Sequence, residues 1–212
     1  MGHDYSVYLV TNRGLSNGRN TADIVMAAVA GGVCCVQLRE KDLSTREMVE
    51  EARRLVCLLR PRNIPLIVND RVDVALAADA DGVHLGQSDM HISDARQLVG
   101  PGRIIGISAE STADAVRAER EGADYIGISP VFSTSTKKDI ATPLGLSGIR
   151  QIRGMVNLPL VAIGGITADN ADEVVRSGAD GVAVVSAIVS AACPETSARR
   201  LLEMVRKARD TR

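Results

Sequence analysis

Eight short apolar runs, each followed by a segment of helical spacing, constrain this 212-residue chain more than any other feature. The runs predict strands at Val7–Thr11, Val33–Arg39, Leu66–Asn69, Gly82–Leu85, Ile104–Ser108, Tyr125–Ser129, Leu160–Ile163 and Val182–Val185. Helices are predicted over Thr21–Ala30, Thr45–Leu59, Val72–Ala78, Ser93–Leu98, Ser111–Glu121, Leu146–Arg153, Ala168–Ser177 and Glu195–Ala208. In the second of these, Met48, Ala52, Leu55 and Leu59 recur at helical spacing. Strands separated by helices pair in parallel through crossovers, since a hairpin reverses the chain. An internal echo supports the repeat: Ala80-Asp81-Gly82-Val83, Ala123-Asp124-Tyr125-Ile126 and Ala179-Asp180-Gly181-Val182 each stand where a helix hands over to a strand. Gly122 and Gly178 precede two of them, where a left-handed residue ends a helix. A doubly wound open sheet also alternates these elements, but eight regular units favour closure into a single (β/α)8 TIM barrel. No linker or composition shift divides the chain, so one domain over 1–212 is expected.

The composition is 45% hydrophobic and 24% charged, enough for a substantial core. Trp is absent and Phe132 is the only Phe, so stacking of exposed bases is not the expected binding mode. The net charge of -1 argues against a nucleic-acid or anionic-membrane partner, and any anion site must therefore be local. Cys34, Cys35, Cys57 and Cys193 show neither CxxC spacing nor a His partner pattern, which predicts reduced thiols rather than zinc or disulfides. No basic-then-apolar leader and no membrane-length apolar stretch is present, so a cytoplasmic protein is expected. Oligomeric state is left open.

Active sites of such barrels form at the C-terminal ends of the strands. Those ends carry the chain's chemistry, whereas the turns into strands carry mostly Gly, Ala and Asp. Strand two runs out as Val33-Cys34-Cys35-Val36-Gln37-Leu38-Arg39-Glu40-Lys41. Alternation puts Cys35, Gln37, Arg39 and Lys41 on one face. A guanidinium fork and an ammonium side by side repel unless an anion lies between them, and they suit a phosphate or diphosphate. Asp70 and Asp89 follow strands three and four. They read either as caps of the next helix or as the one or two carboxylates that hold Mg²⁺ beside a diphosphate. His84 ends strand four, either as a hydrogen-bonded core residue or as part of the site. Gly164-Gly165 and Val185-Ser186 end strands seven and eight, where barrels bind phosphate through backbone N–H groups; a tight turn is the other reading. The long stretch Pro130–Leu144 holds Thr134, Thr136, Lys137 and Lys138, as a lid over phosphate or as a solvated loop. No general base stands out, which fits a reaction driven by stabilising a leaving group.

Taken together, Gln37–Lys41 (Q-L-R-E-K), Asn69-Asp70, His84–Asp89 (H-L-G-Q-S-D), Pro130–Lys138 (P-V-F-S-T-S-T-K-K), Ala162–Ile166 (A-I-G-G-I) and Val185-Ser186 resemble, in order and spacing, the motifs of the thiamin phosphate synthase family. The resemblance runs from about the second strand to the last. It implies a (β/α)8 transferase that joins an aminopyrimidine methyl diphosphate to a thiazole phosphate and releases pyrophosphate. It further implies that Arg39, Lys41 and Lys137 hold the diphosphate, and that Asp70 and Asp89 hold Mg²⁺. Gln37, Asn69, His84 and Ser108 would line the aminopyrimidine pocket. Thr134 and Thr136, with backbone at Gly165, Val185 and Ser186, would meet the thiazole phosphate. Arg39, Lys41, Lys137 and Ser108 are the residues it assigns to catalysis. Two departures stand out: Ser129 replaces a common Gly, and Ala109-Glu110 replace a common Thr-His, adding a negative charge at the mouth. The alternatives are a thiazole tautomerase of the same superfamily and a non-catalytic phosphate-metabolite-binding barrel; neither accounts for paired carboxylates beside paired cations.

Overall fold

The computed structural model describes residues 3–134 and 142–211. Eight parallel strands close into one barrel in chain order: β1 (Val7–Val10), β2 (Cys35–Leu38), β3 (Leu66–Asn69), β4 (Gly82–Leu85), β5 (Ile104–Ala109), β6 (Tyr125–Ile128), β7 (Leu160–Ile163) and β8 (Gly181–Val184). The ladder from Val7↔Val182 to Leu9↔Val184 seals β1 to β8. Around the barrel lie α1 (Thr21–Ala30), α2 (Thr45–Leu59), α3 (Val72–Ala78), α4 (Ile92–Val99), α5 (Thr112–Arg120), α6 (Gly145–Arg153), α7 (Ala171–Arg176), α8 (Ser186–Val189) and α9 (Pro194–Asp210). The expected (β/α)8 architecture is present, with α8 as an additional short helix. Among the described residues no helix is long and apolar enough to cross a membrane. All four cysteines are free thiols.

Strand alternation divides the core in two. Tyr5, Tyr8, Val10, Cys35, Ile67, Ile104, Tyr125, Val161 and Ala183 pack together inside the barrel. Residues of opposite parity, such as Leu9, Val36, Leu38, Leu66 and Val68, join the larger cluster beneath the helices. There α2 contributes Met48, Ala52, Leu55, Val56 and Leu59, and a Ser44–Glu47 capping box starts it. Both faces of each strand are thus covered, which is why the strands read as continuous apolar runs.

The repeated Ala-Asp pairs are structural clamps at the N-terminal face. Asp81, Asp124 and Asp180 accept the backbone N–H of Leu66, Ile105 and Leu160 at 2.8, 2.7 and 2.8 Å. Their own N–H groups donate to the carbonyls of the same three residues at 3.0, 2.8 and 2.7 Å. Cys34 holds the same place before β2. Its N–H donates to the Val7 carbonyl at 3.0 Å, and its thiol lies 3.3 Å from both Val7 N and Val7 O. Each even-numbered strand therefore pins the odd-numbered strand before it.

Several boundaries differ from expectation for identifiable reasons. β2 starts at Cys35 because Cys34 is committed to this clamp. It stops at Leu38 because the Arg39 N–H donates to Thr11 Oγ1 at 3.0 Å rather than to a ladder carbonyl. β8 stops at Val184 because Val185 (φ -111, ψ -84) turns the chain into α8. The start of α7 is delayed to Ala171, since Asn170 accepts from Thr167 N and donates to Gly165 O, holding 165–170 as a loop. We expect Asp81→Ala to lower the unfolding free energy by about 1–3 kcal/mol in urea titrations, because the Leu66 N–H loses its acceptor. Asp81→Asn keeps an acceptor oxygen and should cost less.

Candidate active site

The C-terminal mouth gathers Arg39 and Lys41 after β2, Asn69 and Asp70 at β3, His84 and Asp89 at and after β4, and Ser108 on β5. Thr134 follows β6, Gly164 and Gly165 follow β7, and Val185 and Ser186 follow β8. Thr136, Lys137 and Lys138 lie outside the described residues.

A polar chain crosses the barrel interior below this mouth. Gln37 Nε2 donates to the Tyr8 hydroxyl at 2.9 Å, and the Tyr8 and Tyr125 hydroxyls are 2.9 Å apart. The Tyr125 hydroxyl reaches His84 Nδ1 at 2.8 Å, and His84 Nε2 reaches Ser108 Oγ at 2.9 Å. Burial pushes both tyrosine hydroxyls well above their ordinary pKa, so they stay protonated. One direction then satisfies each group, because an amide NH₂ only donates. Tyr8 gives its proton to Tyr125, Tyr125 to His84 Nδ1, and His84 Nε2–H to Ser108. In this direction Ser108 accepts from His84 and keeps its own proton to donate. Two glycines make room for this chain. A Cβ on Gly106 would lie 2.1 Å from the Tyr125 ring, and one on Gly127 would lie 2.9 Å from His84 Cε1. Asn69 stands beside His84 in register and is half-buried.

Neither aspartate caps a helix. Asp70 adopts a left-handed backbone (φ 60), and its N–H donates to the His84 carbonyl at 2.9 Å. The cap position of α3 is Arg71, which makes no side-chain cap bond. The Asp70 carboxylate instead faces Lys41 Nζ at 3.7 Å and lies beside the Asp89 carboxylate. Burial, a hydrogen bond that only the protonated acid can give Asp89, and the negative charge of Asp89 push the Asp70 carboxyl up to about 6, against the opposing pull of Lys41 and Arg39. Asp89 Oδ2 also accepts the Gly86 N–H at 2.6 Å, while α4 is capped by His91. Among the described residues, no three His, Cys, Asp or Glu side chains converge as a ready-made metal cage.

The glycines after β7 have a packing reason. Gly164 (φ 108) and Gly165 (φ 65) lie under the segment that follows β6. A Cβ there would come within 2.9 Å of Pro130 Cβ and 2.7 Å of the Ser133 carbonyl oxygen. Val131 N–H donates to Ile163 O at 2.9 Å and Phe132 N–H to Gly164 O at 3.0 Å, seating that segment. Ser186 opens α8 rather than ending a strand. Glu110, half-buried past β5, donates its backbone N–H to Asp114 at 3.3 Å. Tyr8, Tyr125, Gly106, Gly127, Thr11 and Glu40 were not singled out from sequence as site residues. Strand parity was the signal for the tyrosines, and glycine inside a strand for the other pair.

A family model described as thiamine monophosphate synthase matches residues 7–188. A protein named thiamine-phosphate synthase from Chloroflexus aurantiacus is 53% identical over 202 residues, covering 95% of this chain and 93% of that one. One of the same name from Moorella thermoacetica is 48% identical over 205 residues, covering 97% and 98%. A solved structure titled thiamine phosphate pyrophosphorylase from Pyrococcus furiosus superposes with a TM-score of 0.89 at 41% identity, covering 97% and 98%. At 16% identity, 3-hexulose-6-phosphate synthase from Salmonella typhimurium (TM-score 0.74) shares the fold.

In the metal-free protein, NMR titration of the carboxyl carbons should give Asp70 a pKa near 6. Asp89→Asn should lower it by removing the like charge, yet leave it above the ordinary carboxylate value because burial persists. The raised value means that Asp70 favours folding below its unfolded pKa. That contribution is lost as pH rises through about 6.

Proposed function

The chain belongs to the thiamine monophosphate synthase family, and we propose on that premise that it condenses an aminopyrimidine methyl diphosphate with a thiazole phosphate, giving thiamin monophosphate and pyrophosphate. The observation that carries this reading at the site is Asp70. It is held in a costly left-handed conformation, opposite Lys41 and beside a second carboxylate.

Two carboxylates in contact penalise each other's ionisation, and a divalent cation between them would relieve the penalty. Two carboxylates without a third ligand suit Mg²⁺, which completes its shell with water and substrate oxygens. Asp70 and Asp89 therefore fit that ion, and when bound it supplies electrostatic stabilisation of the departing pyrophosphate oxygens. Arg39, Lys41 and Lys137 would hold the same diphosphate. Preorganised cations of this kind favour the state in which the C–O bond has lengthened and charge has built on the leaving oxygens. The electron pair of that bond leaves with pyrophosphate, the ring-stabilised methylene cation remains, and the thiazole nitrogen then donates its pair to it. Ser108, at the end of the interior chain, would donate to the pyrimidine, and Gln37, Asn69 and His84 would shape its pocket. Thr134 and Thr136, with the backbone at Gly165, Val185 and Ser186, would hold the thiazole phosphate. No base is required, in keeping with the residues present.

Mixing the protein with both substrates and Mg²⁺ should release pyrophosphate. Interconversion of thiazole isomers without pyrophosphate would establish a tautomerase instead. Arg39→Ala and Lys41→Ala should each lower kcat/KM by on the order of 10²- to 10³-fold. Asp89→Ala should raise the Mg²⁺ concentration giving half-maximal turnover by at least about tenfold, the least expected when a ligand is lost. An unchanged Mg²⁺ requirement would remove Asp89 from the metal site.

A further inference from the structure

Glu40 sits between Arg39 and Lys41 in sequence but is committed elsewhere. It is 8% exposed and is the one charged side chain among the buried described residues. Both carboxylate oxygens are engaged on the neighbouring loop. Oε1 accepts from Thr11 Oγ1 at 2.8 Å, and Oε2 accepts the Arg13 N–H at 2.9 Å. Thr11 is itself 2% exposed and is bonded three ways. Its N–H donates to the Gln37 carbonyl at 2.9 Å, its hydroxyl donates to Glu40, and the same oxygen accepts the Arg39 N–H at 3.0 Å. The backbone on either side of Arg39 is thus fastened, through Thr11 and Glu40, to the β1–α1 loop at the start of the turn Arg13–Leu15.

A buried carboxylate is costly unless its oxygens are satisfied, and here both are. β2 ends at Leu38, so Arg39 and Lys41 lie beyond its ladder. We propose that Glu40 is a positioning residue: by tying the end of β2 to Thr11 and Arg13, it presents Arg39 and Lys41 to the diphosphate, and it acts through its hydrogen bonds rather than its charge. This inference rests on the reading of Arg39 and Lys41 as the diphosphate grip.

Glutamine can reproduce the link. Its amide oxygen accepts from Arg13 N–H, and its NH₂ donates to Thr11 Oγ1, which still has a lone pair for Arg39 N–H; only the Thr11 hydroxyl proton loses its acceptor. Alanine removes both acceptors. The test compares wild type, Glu40→Ala, Glu40→Gln, Thr11→Val and Arg39→Ala. Steady-state KM is measured for each substrate, with calorimetric binding of inorganic pyrophosphate in Mg²⁺. For Glu40→Ala, KM for the pyrimidine diphosphate and the Kd for pyrophosphate should rise on the order of 10- to 100-fold, the scale of an ångström-sized misplacement. KM for the thiazole phosphate should stay put, and Glu40→Gln should restore most of the loss. Should Glu40→Ala fail to fold, the near-isosteric Thr11→Val removes the same link and should show the same selective defect. The proposal is overturned if Glu40→Gln is as impaired as Glu40→Ala, if both substrates weaken together, or if Thr11→Val leaves diphosphate affinity unchanged. An unaffected Arg39→Ala would instead overturn the diphosphate grip itself, a separate failure.

Discussion

Closure of β8 onto β1 is the constraint on which the rest depends. A closed eight-stranded barrel has an interior just wide enough for one set of inward side chains, so any polar group placed there must find its partner among the others. Gln37, Tyr8, Tyr125, His84 and Ser108 meet that demand as a single chain from β2 to β5, with Gly106 and Gly127 giving up their side chains to make space. The clamps at Cys34, Asp81, Asp124 and Asp180 hold the opposite end, in a rhythm of two strands. Rigidity at the N-terminal face and within the barrel leaves the C-terminal mouth to carry the chemistry, the usual division of labour in this architecture.

At the mouth, groups that would be unfavourable alone are placed beside one another. The Lys41–Asp70 contact is long and its lysine exposed, so it adds little stability. Burial and the neighbouring Asp89 raise the Asp70 acid, and Asp70 has a backbone conformation few non-glycine residues adopt. Such features are worth keeping where a ligand completes them. On the proposed function, a diphosphate and its metal ion would supply the missing opposite charges to cations and carboxylates alike.

Much of this was legible from sequence, and unevenly. Helical spacing located α1, α2 and α3 to the residue because their ends coincide with clear caps or turns. Strand parity placed Gln37 inward and Val36 and Leu38 outward. The ends of β2 and β8 were overextended because an apolar residue in a clamp or turn looks the same as one in a ladder. Gly164-Gly165 read as a phosphate cradle or a tight turn, and neither reading foresaw that they lie beneath Pro130 and Ser133, far off in sequence. Glu40 read as one more charge in a polar motif, although its bonds run to Thr11 and Arg13 on another strand's loop.

By itself, the sequence determined the eightfold alternation, the parity of each strand, and the bias of charged and hydroxylated residues toward strand ends, because all three are local periodicities. Only the tertiary structure decided which of those residues meet. That the Asp70 carboxyl is raised, that His84 joins Tyr125 to Ser108, and that Glu40 binds Thr11 and Arg13 all follow from contacts between different strands. Their register is set by barrel closure and recorded in no single segment.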